Sequence, residues 1–186
     1  SLASTNTLIW SLRTWSFSGK NGGSGEVVAE GNEHLFQMKN PADNSLSEAS
    51  MRRWGKVPAD RKLNFSIRYR NTGSAPAKAE LLFFDRERRR TCETDKVLYL
   101  PPTGSAFAEK SAECASHKNA SQFLVGVKFS GKGELTVADM GLKETGSELN
   151  LISNSQLLRD LKQVDFLKEW PAHFVEVYEE AVKANV

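Results

Sequence analysis

The residues best suited to hold a ligand cluster between positions 54 and 70. Asn64, Ser66, Arg68 and Arg70 alternate with Leu63, Phe65, Ile67 and Tyr69, so they share one face of an extended strand. An amide and two guanidinium groups in such a row can hydrogen-bond sugar hydroxyls, and the guanidinium fork adds bidentate recognition of a carboxylate. Tryptophan rings offer the flat apolar faces on which a pyranose stacks, and Trp15 and Trp54 are the candidates. The expected ligand-binding set is therefore Trp15, Trp54, Asn64, Arg68 and Arg70. The competing structural reading leaves the polar row to solvent and puts Trp10, Trp15 and Trp54 into core or edge packing.

Other reactive side chains form no catalytic pattern. Cys92 and Cys114 lie 22 positions apart around a short strand. Adjacent antiparallel strands could bring them into disulfide reach. A bridge would stabilise the fold by about 3 kcal/mol and imply an oxidising compartment, the alternative being two ordinary buried thiols. Of His34, His117 and His173, only His117 lies near Cys114, and nothing marks that cysteine as an activated nucleophile. No His/Cys cluster has zinc spacing, no EF-hand loop is present, and the carboxylates are scattered with no glycosidase pair. The run Gly19 to Gly25 lacks the Gly-Lys-Ser/Thr ending of a phosphate loop and reads as an inter-strand loop. Arg86-Glu87-Arg88-Arg89-Arg90 is the only dense basic run. It could be a patch for nucleic acid or an anionic polysaccharide, or a solvated loop. No catalytic residue, metal ligand or nucleic-acid partner is expected.

These groups need a scaffold. In 186 residues, 39% hydrophobic and 26% charged with a net charge of +2, there is enough apolar material for one sizeable core and no global charge that calls for nucleic acid. No apolar run is long enough to span a membrane. Short alternating segments separated by Gly, Pro, Asn, Asp and Ser run from Leu8 to Glu144. Strands are predicted over 8–17, 26–30, 35–38, 63–70, 79–85, 97–100, 123–129 and 134–142, with 41–53 left as a loop or a helical turn. Ser130-Gly131-Lys132-Gly133 predicts a hairpin between the last two. Beyond Ser147 the period becomes helical: Leu157, Leu158, Leu161 and Val164 form one stripe, Phe174, Val175, Tyr178 and Val182 another, with Pro171 between them. The expected architecture is mainly β: an antiparallel jelly-roll sandwich over 8–144 followed by a two-helix extension over 153–184. The missing initiator Met suggests an excised or processed form, and Asn64-Phe65-Ser66 and Asn119-Ala120-Ser121 match the N-glycosylation acceptor pattern.

Trp54-Gly55-Lys56-Val57, Pro58 to Arg61, the strand 63–69, the apolar strand 79–85 and the closing Gly133 to Leu142 follow one another in an order that resembles carbohydrate-binding modules of the galactose-binding-like jelly roll, over about residues 15 to 144. The resemblance implies a non-catalytic, glycan-binding accessory module of a larger extracytoplasmic, polysaccharide-related protein. A structural calcium ion is also implied, although Ala138 stands where that family often carries an acidic residue, leaving Asp139 alone. The alternative is a structural or interaction domain that uses 153–184 to meet a protein partner or a following domain.

Overall fold

The computed structural model describes residues 15–42, 47–91, 93 and 95–152. The two-helix extension, the first fourteen residues and Cys92 lie outside these. Ten strands are present among the described residues: β1 (Ser16–Lys20), β2 (Ser24–Glu30), β3 (Glu33–Asn40), β4 (Glu48–Lys56), β5 (Lys62–Asn71), β6 (Ala77–Phe84), β7 (Lys96–Leu100), β8 (Ala108–Ala115), β9 (Gln122–Phe129) and β10 (Gly133–Glu144). They form two antiparallel five-stranded sheets. The front sheet has the order β1-β4-β9-β6-β7 and the back sheet β2-β3-β10-β5-β8. Strands β3 to β10 alone give 3-10-5-8 facing 4-9-6-7, the interleaved order of a jelly roll. The β1–β2 pair widens both layers at one edge.

The alternation of β5 and β9 explains why both are interior strands, β9 central in the front sheet and β5 between β10 and β8 in the back one. Leu63, Phe65, Ile67 and Tyr69 from the back sheet meet Phe123, Val125, Val127 and Phe129 from the front, all fully buried. Buried amides stitch the layers together. Asn40 Nδ2 donates to the Phe129 carbonyl at 2.6 Å, while Asn71 Nδ2 donates to the carbonyls of Leu100 at 2.9 Å and Ala75 at 3.0 Å. Beyond β10 the chain folds back over one end, where the buried Arg53 Nη1 donates to the Ile152 carbonyl.

Several expectations are corrected. The predicted hairpin between 123–129 and 134–142 does not form: β9 pairs with β4 and β6, and β10 pairs with β3 and β5, in opposite sheets. Ser130 to Lys132 spans the layers instead. Three extended residues cover about 10 Å, the spacing of packed sheets. Residues 48–53, read as loop or helical turn, belong to β4, and most of the predicted glycine-rich loop is the end of β1 and the start of β2, turning at Asn21 to Gly23. β8 was not anticipated at all. The Gly31-Asn32 separator does make a tight hairpin, with Glu30 opposite Glu33 and Gly31 at φ 61°.

Candidate functional site: a groove across the front sheet

On β4, Ala49, Met51 and Arg53 point into the core, so Ser50, Arg52 and Trp54 face outward. Cross-strand register continues that outer face in rows. Tyr99 (β7), Lys78 (β6), Lys128 (β9), Ser50 (β4) and Ser18 (β1) make one row; Val97, Glu80, Gly126, Arg52 and Ser16 make the next. Leu82, Leu124 and Trp54 follow, then Phe84, Gln122 and Lys56. A groove of about 440 Å³ lies over the first three rows between β1 and β6, with Ser16, Ser18, Glu48, Arg52, Glu80 and Lys128 among its walls. Its depth has a simple origin: Gly126 sits mid-row with no side chain. A Cβ built there would meet only ordinary contacts, the Met51 carbonyl oxygen at 3.4 Å and Arg52 Cβ at 3.6 Å, so the space above it is open.

Aromatic groups mark opposite corners of this face. Tyr99 is 60% exposed, with the Lys78 ammonium 5.7 Å from its ring centre. Trp54 is half-buried, with the Phe84 ring centre 4.6 Å away and the Arg88 guanidinium 4.8 Å from its own ring centre. Three strand spacings and four residues separate the two, about 20 Å diagonally, which suits an oligosaccharide better than a single sugar. A second depression, of about 460 Å³, adjoins Trp54 and is lined by Lys56, Arg86, Ser121 and Gln122. The loop carrying Arg86 and Arg88 is shaped by Asp85, whose Oδ1 accepts from the backbone N–H groups of Glu87 and Arg89, each at 2.9 Å. The Arg89 backbone bond, helped by its side chain, holds the Asp85 carboxyl below its ordinary value.

The five predicted ligand residues do not converge. Trp15 is 1% exposed and belongs to the core, so it offers no face to a ligand. Trp54 lies on the front face beside the groove. Asn64, Arg68 and Arg70 lie on β5, facing outward from the opposite sheet. There Arg70 grips Glu30 through two bonds of 3.0 Å, lowering the Glu30 carboxyl and raising its own pKa. Arg68 pairs with Glu33, and both guanidinium groups lie over the Phe107 ring, at 4.9 and 4.7 Å. Tyr99 was missed. Its signal was available: Val97 and Tyr99 alternate with Leu98 and Leu100, leaving an edge strand apolar on both faces.

Cys114 is a free, half-buried thiol on β8, pushed up to about 11 by burial. Its expected partner Cys92 lies outside the described residues. His117 Nδ1 accepts from the Asn119 N–H at 3.1 Å, and its Nε2 stands 3.3 Å from Glu93. Among the described residues no three His, Cys, Asp or Glu gather where they could hold a metal ion, so the calcium implied by the resemblance finds no carboxylate cluster there. Asp139 spends one oxygen on the Met140 N–H, 3.0 Å away.

No protein-family model matches the sequence, and no curated protein does. Solved structures do match. The enzymatically active domain of bacteriophage CBA120 tailspike protein 4 aligns over 77% of this chain at 11% identity with a TM-score of 0.64, and this chain spans 21% of its length. TmCBM61, determined in complex with β-1,4-galactotriose, aligns over 70% of this chain and 88% of its own at 16% identity and a TM-score of 0.51. A structure from a study of promiscuous specificity in carbohydrate-binding modules of the β-sandwich superfamily aligns over 77% and 64%, at 11% identity and 0.51. At such identities the likeness is one of fold: this chain is a β-sandwich resembling carbohydrate-binding modules.

Proposed function

We propose that the chain is a glycan-binding module, and that it serves as a non-catalytic accessory unit of a larger extracytoplasmic, polysaccharide-related protein. The observation carrying this reading is the open groove over Gly126, walled by hydroxyls, Arg52, Glu80 and Lys128. Sugar rings need this combination: an apolar floor and edges, with polar groups placed to meet hydroxyls. The solved structures support it, because β-sandwiches of this shape include modules described as carbohydrate-binding. No helix among the described residues is long and apolar enough to cross a membrane.

A glycan array followed by calorimetric titration tests the reading on the full chain. A side chain at position 126 stands perpendicular to the sheet and fills the groove, so Gly126→Leu should abolish binding of the best glycan while leaving the melting temperature unchanged. Tyr99→Ala should weaken binding by about tenfold, the order expected for one lost stacking contact. Absence of binding to every neutral and acidic glycan, or binding indifferent to both substitutions, would sink the proposal.

A further inference from the structure

Four arginines stand in the basic run 86–90, and the structure divides them into two pairs. Arg89 is bound to Asp85 at 3.0 Å and to Glu87 at 3.3 Å, and Arg90 to Asp95. Those two are neutralised within their own loop. Arg86 lines the depression beside Trp54, and Arg88 lies over the Trp54 ring. Neither makes an ion pair among the described residues.

The groove carries a smaller excess of the same sign, Lys20, Arg52 and Lys128 against Glu48 and Glu80. Glu80 is within 3.9 Å of Lys128, whereas Arg52, between Gly126 and Ser16 in its row, has no carboxylate partner among the described residues. Among the described residues the depression beside Trp54 is lined by Lys56 and Arg86 and by no acid, while on its other side Arg86 borders a depression shared with Asp85 and Glu87. A neutral sugar seated here would strip water from Arg52, Arg86 and Arg88 without supplying a counter-charge, which costs binding energy. An anionic substituent would meet guanidinium forks that accept it bidentately. Among the described residues the Arg88 side chain is held by a ring face alone, a contact of modest strength when exposed, so it can turn from Trp54 to a ligand and uncover the ring as it does so.

Resting on the glycan-binding reading, we infer that the ligand is an anionic glycan, bearing carboxylate or sulfate groups, with its charged units read by Arg52, Arg86 and Arg88. The full chain is titrated calorimetrically with an oligogalacturonate, its carboxyl-reduced neutral counterpart, a sulfated oligosaccharide and a single-stranded oligonucleotide of matched length. At least one acidic oligosaccharide should bind more than about tenfold tighter than the neutral one, and which of the two binds tells carboxylate from sulfate. Arg52→Ala, and Arg86→Ala combined with Arg88→Ala, should each erase that preference with unchanged melting temperature. Lys110→Ala, on β8 of the opposite sheet, should leave it intact. Equal binding of the neutral counterpart overturns this inference while leaving the glycan-binding reading standing; failure of every oligosaccharide overturns both. Oligonucleotide binding as tight as the best oligosaccharide, or equal weakening by Lys110→Ala, also overturns it, by showing nucleic-acid or general polyanion attraction.

Discussion

Two glycines on neighbouring strands of one sheet show how position decides what a methyl group does. A Cβ at Gly55 would lie 2.3 Å from the Phe123 ring, which is fully buried and has nowhere to go. Gly126, facing outward, has room. Gly55→Ala should therefore destabilise by about 1–3 kcal/mol, the usual cost of overpacking. Gly126→Ala should be neutral or stabilise by a few tenths, since alanine loses less backbone entropy than glycine. Urea denaturation of the two variants checks both, and equal midpoints would contradict the assignment of faces. This contrast was not legible in the sequence: Trp54-Gly55-Lys56 and Val125-Gly126-Val127 each present a glycine between larger residues, and only the register says which one touches the core. The candidate site was half legible for the same reason. Trp54 and the polar row of β5 could be picked out singly, but nothing local places them on opposite sides of the molecule.

Among the elements, β5 and β9 were readable because every second residue is large and apolar. β4 was not, because its inward face runs Ala49, Met51, Arg53, Gly55 and includes a buried charge. β8 hid behind inward residues as small as Ala108, Ala112 and Cys114. The false hairpin has a general lesson: period two reports which side of a strand is buried, and says nothing about the layer that strand joins. The loop after β6 carries a prediction of its own. Asp85 holds it with two backbone bonds and an Arg89 contact, and these bonds depress its carboxyl pKa. A group whose folded value is lowered contributes stability above its unfolded value, and loses it as pH falls through the folded one. The wild type should thus exceed Asp85→Asn in stability at neutral pH, with the gap closing in acid below the ordinary carboxylate range. A gap constant with pH in denaturation experiments would contradict this.

For the whole molecule, the two sheets are tied at one end by Asn71, which donates to carbonyls of the loop after β5 and of β7 and whose Oδ1 accepts the Gly73 N–H at 2.8 Å. Removing it strands buried polar groups that cost about 1–3 kcal/mol each when unpaired. Asn71→Ala should lower global stability by about 2–4 kcal/mol, read from the urea midpoint, and a loss under half a unit would show that water replaces the amide freely. The interleaving of the layers has one further effect. Only β2–β3 and β6–β7 are neighbours both in sequence and within a sheet, so nearly every other pairing must wait for distant segments to meet. Such closures are entropically slow. Refolding of this domain is expected on a timescale of milliseconds to seconds, with the two local ribbons gaining amide protection before the strands at the heart of either layer.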